Sequence, residues 1–197
     1  MLVFFALCFI LKGQCSAFLP PPDIQVKIAE GKSFIISATG LYRVENLKES
    51  RIFKQPCQVE ETFGGIKING KFWGESVKIE PEQNSFCEVN GKIYRGSLII
   101  RKSKNSVEVL NTLSIEEYLY GIIKAEISPD WPLSTLCAQA IVARTYALRK
   151  LWEEESFPLT ATSQHQVYAG VRGEDARGRI AIDLTRGEIV TFEGKPA

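Results

Sequence analysis

From about residue 24 to residue 111 the chain is built from short runs in which apolar and polar residues alternate, separated by glycine turns. Alternation with a period of two puts every second side chain on one face, so these runs predict half-buried strands. Segments 24–28 and 34–36 read as strands around the turn Glu30-Gly31-Lys32. Asn69-Gly70 and Asn90-Gly91 each sit between two strand-like runs. Both residue types tolerate positive φ, as a two-residue hairpin turn requires. Segments 95–101 and 106–111 predict one more hairpin around 102–105. This half is expected to be mostly antiparallel sheet.

The period then changes to that of a helix. Ser114 followed by Glu117 forms a capping box, and Leu113 and Tyr118 are placed for a hydrophobic staple. The spacing predicts a helix over 115–125, since Pro129 disfavours helical backbone at Ser128. A second helix is predicted from Pro132 or Leu133 to about Glu155, with Asp130 as its cap and Pro132 tolerated in its first turn. Leu136, Ala140, Ala143, Ala147 and Leu151 share one stripe of it, where the alanines let another backbone approach closely. Segment 166–170 precedes a polar loop and a further helix or irregular stretch, and 187–192 reads as a strand. The fold class is α+β: an antiparallel, hairpin-rich sheet with a two-helix segment.

A chain of 197 residues fits one domain, or one domain with a small extension. Its 45% hydrophobic and 24% charged content predicts a packed core rather than disorder. With 24 basic and 23 acidic residues the net charge is +1, which gives no support for a nucleic-acid partner. The apolar run 2–11 is short for a bilayer span, and Cys15-Ser16-Ala17 resembles a small-residue cleavage site. An export signal over 1–17 is therefore expected, with a buried first strand as the alternative. A proline-rich tether over 18–23 and one domain over 24–197 follow. Export implies the periplasm or another extracytoplasmic part of the envelope, with membrane contact only through the export segment. Of the cysteines beyond residue 17, Cys57 and Cys87 could pair as a disulfide. Cys137 is expected as a buried, small apolar residue.

Glu126 stands where the first helix gives way to a turn containing Pro129, Trp131 and Pro132. Ile123, Ile127, Trp131 and the alanine-rich helix could enclose one side of its carboxyl. Partial desolvation favours the protonated form, which can give its proton to a glycosidic oxygen. A solvated glutamate at a helix end is the plainer alternative. Tyr118, Gln139, Tyr146 and Gln166 are candidate orienting groups, and Trp131 either stacks on a sugar ring or packs as a core or capping residue. Arg144 either holds substrate oxygens through several donors or ties the alanine-rich helix to the sheet from inside. Glu117 and Asp130 read as helix caps. Cys137 with His165 lacks an orienting partner for nucleophilic chemistry.

Several short patterns also occur in fixed order: Tyr94-Arg95-Gly96, Asn111-x-Leu113, Glu117-Tyr118-Leu119-x-Gly121, Glu126 and Trp131. Ala138-Gln139-Ala140, Ala143-Arg144-Thr145-Tyr146-Ala147, Gln166-Val167-Tyr168-x-Gly170 and Thr185-x-Gly187 follow. From about 94 to 196 this series resembles the SpoIID/LytB domain of bacterial cell-wall proteins; 24–93 has the hairpin character with weaker signatures. The resemblance implies a lytic transglycosylase that breaks MurNAc–GlcNAc β-1,4 bonds of peptidoglycan without water, leaving a 1,6-anhydro end. Glu126 would be its acid/base, and Trp131, Gln139, Arg144, Tyr146, Gln166 and Tyr168 would bind substrate. Glycan strands freed of peptide stems are the implied substrate, with a cell-wall amidase as a possible partner. Some SpoIID-like proteins carry cysteine and histidine near the Gln-Val-Tyr motif. Here His165 stands there without a cysteine, so neither a metal nor another cofactor is expected. LytB-like amidase enhancers keep a second reading open, a noncatalytic glycan-binding activator or recruiter of an amidase. Family domains usually continue through further strands, so the domain is expected to be incomplete at Ala197.

Overall fold

The computed structural model describes residues 22–153, 159–160 and 166–197. The expected export segment 1–17, the tether up to residue 21, the predicted end of the second helix at 154–155, and His165 lie outside these residues.

The alternating half forms β1 (Asp23–Gly31), β2 (Ser33–Ala38), β3 (Tyr42–Glu45), β4 (Ser50–Phe53), β5 (Cys57–Thr62) and β6 (Gly65–Ile68). It continues through β7 (Lys71–Gly74), β8 (Ser76–Pro81), β9 (Cys87–Val89), β10 (Lys92–Tyr94), β11 (Ser97–Ser103) and β12 (Ser106–Ser114). Both asparagine-glycine turns adopt the expected geometry, with φ of 48° and 78° at Asn69 and Gly70 and 47° and 80° at Asn90 and Gly91. The asparagine side chains do more than turn the chain. Asn69 Oδ1 accepts from Gln58 N at 2.9 Å and Asn90 Oδ1 from Ile35 N at 2.8 Å, fastening each hairpin to a neighbouring strand.

The strands divide between two sheets. One runs β13-β1-β12-β11-β8-β3-β4, where β13 (Leu159–Thr160) lies parallel to β1; the other runs β10-β9-β2-β5-β6-β7. The turn at 30–32 therefore leads from one sheet into the other. β1 pairs with β12, and β2 pairs with β5 and β9. Buried residues of both sheets and of the helices form a single core cluster, including Ile24, Val26, Val59, Ile79, Leu98 and Leu119.

Cys57 and Cys87 lie on β5 and β9, the two strands that flank β2, opposite Ile36 and Ala38. Two strand spacings put them about 10 Å apart, beyond the reach of a disulfide. Both are free buried thiols, and Cys137 is only half-buried.

The helical part is α1 (Ile115–Glu126), α2 (Leu133–Glu153) and α3 (Ala176–Leu184). The capping box at Ser114 and Glu117 is present. From Ile115 to Ile123 almost every residue of α1 is buried, and only its last turn, Lys124 to Glu126, reaches solvent. Ile127 then turns extended, one residue before Ser128, the position that Pro129 keeps out of the helix. Asp130 does not cap α2; the Pro132 carbonyl accepts from Thr135 N and Leu136 N. Asp130 N instead faces Ser128 Oγ at 3.4 Å in the preceding turn. Of the strand predicted over 187–192, only Thr191–Phe192 (β14) forms, paired with Lys195–Pro196 (β15).

Candidate functional site

The last turn of α1 is positioned by what surrounds its buried length. Arg144, the largest fully buried side chain, donates from Nε and Nη2 to the two carboxylate oxygens of Glu116 at 3.0 and 2.8 Å. Nη1 donates to the Glu188 carbonyl at 2.9 Å and Nη2 also reaches the Ile182 carbonyl at 3.3 Å. Glu116 accepts a further bond from Gly187 N at 3.2 Å. One guanidinium thus joins α1, α2, α3 and the segment that follows α3. With both side chains 1% exposed, Arg144 has no face for a ligand. The substrate-contact expectation for Arg144 gives way to an internal tie, and its anchor is a helix carboxylate rather than the sheet.

Tyr168 corrects in the same direction. It is buried, donates to Asn111 Oδ1 at 2.7 Å, and lies between the rings of Tyr118 and Tyr94 at 5.3 and 6.0 Å. Asn111 Nδ2 donates to the Arg95 and Ser97 carbonyls at 2.7 and 3.1 Å, so its amide is fully used. Gly121 makes this packing possible, because a Cβ there would stand 2.5 Å from the Tyr168 ring. Gln166 is buried too, accepting the Tyr118 hydroxyl at 3.1 Å. The Gln-Val-Tyr segment therefore clamps the middle of α1.

Beyond that clamp Glu126 is exposed, with no hydrogen bond or ion pair among the described residues. The enclosure expected from Ile123 is missing, because Ile123 turns into the core, and Trp131 is 54% exposed. The Tyr118 phenol links Glu126 to the rest of the site. Burial holds it well above its ordinary pKa, and the nearby Glu126 carboxylate and Tyr146 phenol push it further the same way. Glu126 and Tyr146 thus both act electrostatically on the Tyr118 hydroxyl, which donates to Gln166. Gln139 and Tyr146 are half-buried on α2, and Tyr146 also lines a depression of about 470 Å³ with Val142, Thr145, Arg149 and Val190. Arg177 of α3 donates to the Pro129 carbonyl, fixing the turn that carries Trp131.

Glu116 is the site-building residue that the sequence reading missed. Its signal was present: it shares a helical stripe with Tyr120 and Ile123, both buried. Among the described residues no three histidine, cysteine or carboxylate side chains are grouped as metal ligands.

Residues 103–192 match the SpoIID family, described as stage II sporulation protein. An uncharacterised protein of Brachyspira hyodysenteriae is 34% identical, over 91% of this chain and 51% of its own length. One of Chlamydia pneumoniae is 28% identical, over 88% of this chain and 70% of its own. The amidase enhancer of Bacillus subtilis is 30% identical over 64% of this chain and 18% of its own length. The chain spans about half the length of the Brachyspira relative. No solved structure matches with comparable significance.

Proposed function

From a chain that belongs to the SpoIID family, we propose a protein of the bacterial cell wall, a lytic transglycosylase that cleaves MurNAc–GlcNAc β-1,4 bonds with Glu126 as its acid/base. Likeness to an amidase enhancer supports the cell-wall setting. In this reading the protein is exported to the periplasm or extracytoplasmic envelope, where glycan strands freed of peptide are its substrate. The observation that carries it is the unpartnered carboxylate of Glu126, projecting from the exposed last turn of a helix that is buried and clamped over its preceding length.

One carboxyl group suffices for the chemistry. In its acid form Glu126 protonates the glycosidic oxygen as the bond from C1 breaks. The resulting carboxylate takes the proton of the MurNAc C6 hydroxyl, whose oxygen closes on C1 to form the 1,6-anhydro ring. No water is consumed. A hydrolase of the usual kind needs a second carboxylate at a set distance. Glu117 is committed to Ser114 at 2.9 Å, which weakens its claim to that role. A glycan lying over Trp131, Gln139 and Tyr146 would cover the Glu126 carboxyl and displace the water around it.

Mass analysis of peptide-stripped glycan after incubation with the protein tests this reading. Anhydro ends are expected, whereas new reducing ends would replace the transglycosylase with a hydrolase. Binding without any product would favour the second reading, a glycan-binding activator or recruiter of a cell-wall amidase. The match to the amidase enhancer is the observation on its side.

A further inference from the structure

Strand register gathers the turns around Lys32, Leu47, Phe63, Glu75 and Lys104 at one end of the molecule. β12 starts at that end and delivers Ser114 to α1 at the other, and the remaining strands of both sheets follow by pairing. Backbone and side-chain bonds stitch the turns together. Glu61 N donates to the Lys32 carbonyl at 2.7 Å, Lys102 N to the Glu75 carbonyl at 2.7 Å, and Asn46 Nδ2 to the Trp73 carbonyl at 2.6 Å. Asn46 Oδ1 also accepts from Lys48 N and Glu49 N, so the β3–β4 turn is closed from within. These fixed turns hold large apolar side chains in water. Leu47 and Phe63 are 106% and 101% exposed, the two most exposed large hydrophobic residues among those described. Phe72 lies between them: it lines a cleft with Leu47, and its ring rests on Gly65, where a Cβ would stand 2.8 Å away. One exposed apolar side chain is ordinary, but a patch of them on neighbouring turns marks an interaction surface.

Charge narrows the partner. The carboxylates of Glu30, Glu49 and Glu61 beside these turns are matched by Lys27, Lys71 and Lys102. Lys32, Lys48 and Lys104 stand in the turns themselves, against Glu75, all without an ion pair among the described residues. The lysines alone would single out nothing, since Lys54, Lys67, Lys124 and Lys195 are equally unpaired elsewhere. What marks this end is their coincidence with Leu47 and Phe63. Tips that project separately would each need a matching pocket in a protein partner, whereas a fluid headgroup layer closes round them. Stable attachment to a bilayer takes two signals, and apolar insertion with basic residues beside it supplies both.

We propose that this end docks on an anionic lipid surface, with Leu47, Phe63 and Phe72 entering the headgroup region and Lys32, Lys48 and Lys104 meeting its charge. The sequence reading confined membrane contact to the export segment; this is a second, peripheral contact, independent of the glycan reading. β12 is nine residues long, so roughly 30 Å separates the docked turns from the start of α1. The helical end, which carries Glu126, is left clear of the bilayer.

Vesicle binding by the full chain, read at the turn itself, tests the proposal. In a Phe63→Trp variant, the fluorescence added to that of wild type is expected to be quenched by phosphatidylglycerol–phosphatidylcholine vesicles brominated in the upper acyl chain. The difference isolates this end, since Trp73 is buried and Trp131 and Trp152 belong to the helical part. Adding Leu47→Ser should raise the lipid concentration for half-quenching about tenfold. Changing Lys32, Lys48 and Lys104 together to Gln should do the same on these vesicles and nothing on pure phosphatidylcholine. Raising the ionic strength from about 0.01 M to about 0.1 M should weaken quenching as well. The melting temperature is expected to stay unchanged by Leu47→Ser, because that side chain has no packing to lose. No quenching of the added tryptophan, even on vesicles that hold the protein by its export segment, would overturn the docking. So would equal quenching on both kinds of vesicle. Self-association of wild type that Leu47→Ser abolishes, without any quenching, would give the face to a second copy instead.

Discussion

Arg144 has every donor nitrogen committed inside the protein, and Glu116 accepts from two of its nitrogens and from Gly187 N. Removing one member of such a pair leaves the other as an uncompensated buried charge, at a cost of about 3–5 kcal/mol. Arg144→Met is therefore expected to lower the unfolding free energy by that amount in denaturant titrations. Arg144→Lys should be poorly tolerated as well, since a single ammonium cannot reproduce the forked contact. Replacing Glu116 and Arg144 together by apolar residues should recover much of the loss. The cysteines make a separate prediction. Burial raises the Cys57 thiol and pushes Cys87 up to about 12. Among the three cysteines beyond residue 17, an alkylating reagent at mildly alkaline pH should modify half-buried Cys137 first and reach Cys57 and Cys87 only on unfolding. A reductant should leave the melting temperature unchanged, whereas a drop would mean a disulfide after all.

Each helix is seated by a contact in which a small residue or an ion pair sets the approach. For α1 it is Gly121 against Tyr168, and Gly121→Ala is expected to cost about 1–3 kcal/mol by overpacking. The same variant should lower activity, since it shifts the Tyr118–Gln166 pair beneath the Glu126 turn. For α3 it is Asp183, which accepts the Tyr120 hydroxyl at 2.6 Å and Arg186 Nη2 at 2.7 Å. Burial pushes the Asp183 carboxyl up, but the Tyr120 bond and Arg186 outweigh it, so its pKa lies below the ordinary value. A depressed carboxylate stabilises the fold above its unfolded pKa, and that contribution is lost as pH falls through the folded one. Wild type should exceed Asp183→Asn in stability at neutral pH by less than about 1 kcal/mol, since the group is half exposed. The gap should close below about pH 4. Element type was legible in the sequence wherever local chemistry decides it. Asn69-Gly70, Asn90-Gly91 and the Ser114–Glu117 box all formed as expected. The 187–192 strand was shortened to two residues because Gly187, Glu188 and Val190 give their backbone groups to Glu116, Arg144 and Thr145.

Across the whole molecule, alternation fixes which face of a strand is buried but not which strand lies beside it. Hence β1 and β2, adjacent in sequence, fall in different sheets, and Cys57 and Cys87 end on either side of β2. The candidate site was legible as a set of residues and not as a set of roles. Residue type does not encode depth: Arg144 reads as a ligand contact but commits every donor nitrogen inside the protein, and Tyr168 and Gln166 are buried with the Tyr168 hydroxyl and the Gln166 carbonyl committed to Asn111 and Tyr118. Glu126 shows the opposite property, since it is the carboxylate in the last turn of α1 and the scaffold leaves it uncommitted. The most direct test compares wild type with Glu126→Gln on peptide-stripped glycan, quantifying anhydro-ended products. A fall in rate of about 10²–10⁴-fold with glycan binding retained is predicted for loss of a general acid/base. Equal amounts of anhydro product from the two proteins would contradict the assignment of the chemistry to this carboxylate.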